Sequence, residues 1–373
     1  MKSEENSVSW GTSLVPFIPG LQLSQRYYRQ AVGPLLECQF PNLGYTAGLF
    51  GYGSDVLGYD TPLSRDHMWG PRLVLLLSES DFSTTCTQLD DMLRRNLPVE
   101  MMGYPTGFGA PDREGVRHLQ FCLPGEVDHL IQISTVERFV IEELGWEVSH
   151  PISLADWLTF AEQKLLAVTG GELFHDDLGF AEVRARLAYY PRDAWLYLLA
   201  SQWTRVAQEE AFIGRAAEVG DDLGPRVITA RMVETLMRLA FLQRRLYAPY
   251  SKWFGLAFQR LPGILPLAEN LRAALAANCW QEREDFLCAA CLLLAEEHNR
   301  LELTEPIEAR IQNFYNRPYR VIFASRFAEA LQAQILDPVL NQLPLYGSPN
   351  QMTTSPDLLE NPQAWKKMKP LYE

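Results

Sequence analysis

Two textures of apolar spacing divide the chain near residue 150. Before that point, short apolar runs alternate with turn residues; after it, apolar positions recur every three or four residues. In the first part GLQLSQRYYRQAVGPLLECQF has helical spacing. YTAGLFGYGS predicts a strand running into a Gly-Ser turn, and GPRLVLLLS predicts a second, buried strand. STTCTQLDDMLRRNL predicts an amphipathic helix with Leu89, Met92 and Leu93 on one face. MMGYPTGFGAPDREG reads as a Gly- and Pro-rich loop, and RHLQFCL and HLIQIST read as strands.

From about residue 152 the period is helical. SLADWLTFAEQKLLAVTGG predicts a helix with Ser153 as N-cap and Gly170 as stop. PRDAWLYLLASQWTRVAQEEAFIGRAAEVG predicts one long helix, with Pro191 in its first turn and Gly220 just past its end. A further helix carries Val233, Met237, Ala240 and Phe241 on one stripe, and ENLRAALAANCW and QEREDFLCAACLLLAEEHNRLEL continue the pattern. The expectation is an α+β chain: a small mixed sheet with helices over residues 1–150, an α-helical bundle over 151–340, and a polar tail over 341–373 lying on the surface.

Length and composition fit that division. At 373 residues, 47% of them hydrophobic, the chain suits two domains with sizeable cores. Its 33 basic and 46 acidic side chains give a net charge of -13, so a broad basic footprint for nucleic acid is absent. The balance disfavours a nucleic-acid partner and suits a small cationic one. MKSEENSVSW has no apolar secretory core and no run of 18 apolar residues occurs, so the expected location is cytoplasmic, away from membranes. Cys288 and Cys291, the one close pair among six cysteines, read as buried thiols of a reducing compartment.

Chemistry is most legible in GYGSDVLGYDTPLSRDHMWGPR. Gly53 and Ser54 form a small turn; eleven residues later comes Asp66, followed by His67 and Met68. Gly53 lets a backbone approach a phosphate, and Ser54 is expected to open a short helix whose N–H groups hold phosphate oxygens. If the following strand carries DHMW, side chains 66 and 68 share one side of it. Arg72 has two readings, an ion pair with an acid or a bidentate donor to phosphate.

This stretch resembles the nucleotidyltransferase signature, a Gly-Ser pair followed at a short interval by Asp-x-Asp/Glu. GSDVLG and PLSRD are similar to the flanks in aminoglycoside nucleotidyltransferases. Together with YYPRDAWLYLLASQW, QEEAFIGR and RRLYAPYSKWFG, it makes the chain resemble the bacterial DUF4037 group of predicted nucleotidyltransferases, from about residue 20 to 355. The resemblance implies a nucleotidyltransferase domain followed by helices. It also implies an NTP, ATP foremost, bound with Mg²⁺, and transfer of NMP to a hydroxyl of a small-molecule acceptor.

In such a site carboxylates hold Mg²⁺ and a third acid takes the acceptor's proton. Here Asp66 stands with Met68, and a thioether is a poor ligand for a hard cation. The third acid is sought in VDHLIQIST, where the strand core offers Gln132 and its entrance Asp128. Asp66 and Asp128 are thus the candidate metal ligands, with Asp55 and Asp60 close in sequence. Two outcomes stay open: another acid set is used, or the chain is a catalytically impaired nucleotide-binding pseudoenzyme serving as a sensor or interaction module. In the helical half, Glu209 and Glu210 are candidate general-base or cation-binding acids, beside Asp66 as the catalytic set. The resemblance to aminoglycoside nucleotidyltransferases implies that Lys252, just beyond Pro249, joins Gly53, Ser54 and Arg72 as a candidate nucleotide contact.

Overall fold

The computed structural model describes residues 16–373; the opening decapeptide read above for a secretory core lies outside them. The chain is α+β and forms two compact units. One comprises the residues up to Val136 with Gly170–Glu182, the other Glu137–Thr169 with Val183–Glu373.

The first unit begins with the expected helical stretch. It runs as α1 (Gly20–Tyr27), a π turn at Tyr28–Val32 and α2 (Gly33–Gln39). The first two predicted strands follow, β1 (Tyr45–Leu49) and β2 (Arg72–Leu77). After β2 the Ser78 hydroxyl accepts the Asp81 N–H at 3.1 Å and starts α3 (Glu79–Asn96), which buries Leu89 and Leu93 with Met92 partly covered beside them. The segment expected to be a loop holds short ladders: β3 (Glu100–Met101) with β4 (Tyr104–Pro105), and β5 (Gly107–Phe108) with β6 (Leu119–Gln120). Of RHLQFCL only those two β6 residues pair as strand, whereas β7 (Leu130–Thr135) fills the predicted span.

A fourth strand, β8 (Glu172–Asp176), follows the Gly170 stop and was not among the expected strands. The main sheet runs β7-β2-β1-β8, with β1 antiparallel to β2 and β8, and β2 parallel to β7. Leu73, Leu75 and Leu77 of β2 join the core with Leu23 and Tyr27 of α1, while Val74 and Leu76 are buried as well. Burial on both faces is why this strand reads as a solid apolar block rather than an alternation.

The second unit is helical apart from one two-residue ladder, β9 (Gln312–Asn313) with β10 (Arg320–Val321). It opens with α4 (Val136–Leu144). The helix predicted from Ser153 to Gly170 is two: α5 (Leu154–Trp157) and α6 (Glu162–Thr169). Ser153 caps as expected, in a reciprocal box with Asp156, but the Thr159 hydroxyl then turns back to the Asp156 carbonyl at 2.7 Å and the first helix stops. After α7 (Phe180–Arg186), which begins in the first unit, the long helix predicted after Pro191 also divides. It gives α8 (Arg192–Glu209) and α9 (Phe212–Glu218). Next come α10 (Leu223–Gln243), α11 (Ser251–Gln259), α12 (Leu265–Ala276), α13 (Trp280–Arg300) and α14 (Ser325–Gln332).

The tail is not a surface strap. Five short elements, α15 (Pro338–Gln342), α16 (Pro349–Met352), α17 (Pro356–Leu359), α18 (Pro362–Lys366) and a last 3-10 turn, bury Leu359, Trp365 and Tyr372. Trp365 and Leu359 pack with Ala161, and the Gln351 amide donates to Gln202 Oε1 at 2.7 Å. Sparse apolar residues among polar ones concealed this, because each anchor is a single large side chain.

Candidate functional site

Strand direction gathers the motif at one end of the first unit's sheet. Leu49 pairs with Glu172 and Gly48 with Val74, while Arg72 pairs with Leu130. The exit of β1 therefore lies beside the entrances of β2, β7 and β8. Gly53-Ser54 follows β1, Asp66 precedes β2 and Asp128 precedes β7, so all three stand toward that end.

The Gly-Ser turn is held from below. Asp55 is buried, and the Arg72 guanidinium donates to both its oxygens, Nε at 3.0 Å and Nη2 at 2.7 Å, and to the Tyr52 carbonyl at 2.7 Å. Gly53 has φ +141°, and a Cβ there would stand 2.1 Å from the Asp55 Oδ1 and 2.4 Å from the Arg72 Nη2. Only glycine fits. Ser54 opens a run of turns rather than the expected short helix, with the Tyr59 N–H donating to its carbonyl at 2.7 Å. Among the described residues, the N–H groups of Gly53, Ser54 and Asp55 meet no acceptor. Successive unpaired backbone N–H groups of this kind suit an anion.

Arg72 is thus an ion-pair partner rather than a free phosphate donor. Asp60 is also committed: its Oδ2 accepts the Gly20 N–H at 2.7 Å and the Trp69 indole N–H at 2.9 Å.

The acids do not assemble as the motif implies. Asp66 ends a 3-10 turn over Pro62–Asp66, and the strand begins only at Arg72, so residues 66 and 68 are not carried side by side on it. Met68 instead has φ +48°. The Asp66 side chain is exposed and has no ion pair or hydrogen bond to a described residue. Asp128 is engaged twice, by Arg94 Nη1 on Oδ1 and by Arg117 Nη2 on Oδ2, both at 2.5 Å. Gln132 is exposed on β7 opposite Val74. No group of three or more His, Cys, Asp or Glu side chains placed to hold a cation occurs among the described residues. The residues present do not fit a two-Mg²⁺ site.

Nor do the helical candidates stand ready for chemistry. Glu209 pairs with Arg231 at 2.7 Å. Glu210 accepts the N–H groups of Ile322 and Ala324, each at 3.0 Å, and burial pushes its carboxyl up to about 7. It pins the bend between α8 and α9 to the segment after β10. Lys252 is exposed, its ammonium 5.1 Å from the Trp253 ring centroid. At β8, His175 pairs with Asp177 at 2.6 Å and Asp176 accepts the N–H groups of Phe180 and Ala181.

Sequence reasoning missed a cavity of about 280 Å³ within the helical unit. Its walls include Val233, Met237 and Phe254, with Glu234, Arg238 and Ser251 as polar members. Val233 and Met237 were legible as one stripe, but not that the stripe leaves a space. Beside it, burial raises Glu162 to about 7, with Arg238 opposing that rise. The conspicuous motifs YYPRDAW and RRLYAPY build an aromatic lock instead. Tyr189 stacks on Tyr247 at 5.2 Å, Tyr190 meets Tyr247 edge-on, and Arg245 lies 4.8 Å from the Trp195 ring.

Among the described residues, no helix is long and apolar enough to cross a membrane. No curated protein matches the chain. Among solved structures it is similar to a nucleotidyltransferase-like protein from Exiguobacterium sibiricum 255-15, at 11% identity and a TM-score of 0.32, over 79% of this chain and 82% of that one. Residues 157–254, most of them in the helical unit, match the family model described as "Domain of unknown function (DUF4037)".

Proposed function

We propose that the first unit is a nucleotide-binding unit of nucleotidyltransferase type, impaired in metal-dependent transfer, that serves as a sensor or interaction module. The triphosphate of a nucleotide, ATP foremost, lies against the turn at residues 53–55. The observation that carries this reading is the run of three N–H groups without acceptors at a glycine-only backbone. Impairment is supported by Met68 beside Asp66 and by the two arginines on Asp128. Phosphate binding here needs backbone donors, which this turn keeps without a metal.

Calorimetry with ATP, GTP, CTP and UTP, with and without Mg²⁺, tests the site. The expected result is binding that survives removal of Mg²⁺ and is lost in Ser54→Trp. Binding untouched by that substitution removes the turn from consideration. The transfer reading, NMP to a small-molecule hydroxyl, is favoured by one observation, the exposed and unpaired Asp66 at the same sheet end. Pyrophosphate release with aminoglycosides or nucleosides as acceptors, abolished by Asp66→Asn, would establish it in place of impairment.

A further inference from the structure

The cavity of the helical unit has walls of two kinds. Val233, Met237 and Phe254 give it an apolar body, while Arg238 and the start of α11 give it a positive end. Tyr250, the residue before α11, supplies no side-chain cap, and the N–H groups of Ser251 and Lys252 meet no acceptor among the described residues. Uncapped leading N–H groups of a nine-residue helix carry partial positive charge toward whatever lies before them. Arg238 adds a guanidinium that pairs with Glu234 and lies 4.9 Å from the Phe254 ring centroid, but whose hydrogen-bonding capacity the protein does not saturate. Its Nε and Nη2 both go to a single oxygen of Glu234, at 3.2 and 3.0 Å, while its Nη1 is buried without a hydrogen-bond partner. A buried guanidinium nitrogen left unpaired is costly and needs an explanation.

At about 280 Å³ the space lies just below the range for ligand sites, roughly 300–1,000 Å³, and suits a small ligand. We propose that this cavity binds a small organic carboxylate with an apolar body, its head group between the start of α11 and Arg238 and its body against Val233, Met237 and Phe254. Glu234, which holds Arg238 in place, disfavours a larger anionic charge such as a phosphate monoester. The proposal is independent of the nucleotide reading, because all the residues it uses lie in the helical unit.

The test uses the full chain and two probes, benzoate and 3-phenylpropionate, with benzyl alcohol and benzylamine as neutral and cationic counterparts. Calorimetry is expected to give a Kd of about 1 mM or below for a carboxylate and no measurable binding of the amine. Arg238→Gln is expected to weaken the carboxylate at least about tenfold. Ala230→Trp, at an exposed lining position on the same helix about two turns before Arg238, is expected to abolish binding by obstructing the cavity while leaving the melting temperature in place. Should Arg238→Gln unfold the chain, Ala230→Trp alone decides. Absence of carboxylate binding at ten times that concentration overturns the proposal. So does equal binding of benzyl alcohol, or binding that survives Ala230→Trp.

Discussion

Arg72 grips Asp55 with two guanidinium nitrogens, at 2.7 and 3.0 Å, and the pair fixes which residue can precede Ser54. The Asp55 side chain is only 3% exposed, and besides the Val56 N–H at 3.1 Å its charge rests on Arg72. Removing one member of a buried pair typically costs about 3–5 kcal/mol, because the other charge is stranded. Arg72→Met is therefore expected to lower stability by that order in denaturant unfolding, and to weaken ATP as the turn loosens. A loss below about 1 kcal/mol, the range of an exposed pair, would show that Asp55 finds water or another donor.

Gly53 is tested separately. Gly53→Ala puts a Cβ onto the Asp55–Arg72 pair at a positive φ that disfavours side chains. The expected outcome is a destabilisation on the order of 1–3 kcal/mol from backbone strain alone, larger than for Gly58→Ala. Gly58 also has positive φ, but its Cβ would meet nothing within 4 Å. Equal melting temperatures for the two variants would contradict this packing.

The tail makes a third case. Trp365 donates its indole N–H to the Leu358 carbonyl at 2.8 Å and packs on Leu359 and Ala161. Trp365→Ala is expected to cost about 3–5 kcal/mol, as large-to-small core changes do. Deleting residues 356–373 also takes Glu360 from Lys164, which is left with Glu143, and Lys369 from Asp156. A melting curve for the deletion that overlays the parent would return the tail to the surface role its composition suggests.

Much of the fold was legible because its core helices and strands each bury a continuous stripe or block. β2 and β7 were read from solid or near-solid apolar runs, and α3 from Leu89 and Leu93 one turn apart. What escaped depended on partners distant in sequence. The break after Glu209 is fixed by N–H groups at residues 322 and 324, and β8 carries only a two-residue apolar signal, Leu173 and Phe174, and gains order by pairing with β1. At the candidate site the spacing from Ser54 to Asp66 was visible, but not that Arg94 and Arg117 engage Asp128 from 34 and 11 residues away.

Four buried groups should shape the pH dependence. Burial raises Glu162 and Glu210 to about 7, so between pH 4.5 and 7 the unfolded chain releases their protons before the folded one does. Each therefore lowers stability as pH rises through that window. Burial lowers His129 and His298 to about 4, so below pH 6.5 the unfolded chain binds their protons first, and each raises stability as pH rises from 4 to 6.5. The two effects oppose one another up to pH 6.5, above which only the glutamates act. Glu210→Gln is expected to remove one falling contribution and tilt the stability curve upward over pH 4.5–7 relative to the parent. Parallel curves for the two proteins would mean that Glu210 ionises normally when folded.

The last prediction concerns Met68. Its φ of +48° is uncommon for a long side chain but is visited more readily by Asp and Asn, so Met68→Asp places a carboxylate where the backbone suits it. Asp66 is exposed two residues away, and although no strand aligns the two positions, a second carboxylate supplies the hard oxygen donor for a cation that a thioether does not. In the unmodified protein, adding Mg²⁺ is expected to change ATP affinity little. In Met68→Asp it should strengthen ATP by about tenfold, the worth of one charge-assisted contact. Turnover is not expected to follow, because each oxygen of Asp128 already accepts from an arginine. Gln132→Glu added to Met68→Asp supplies an acid on β7 without disturbing that pair, and pyrophosphate release by the double variant alone would locate the missing third carboxylate. Release by the unmodified protein, lost in Asp66→Asn, would show instead that the acids regroup around bound nucleotide.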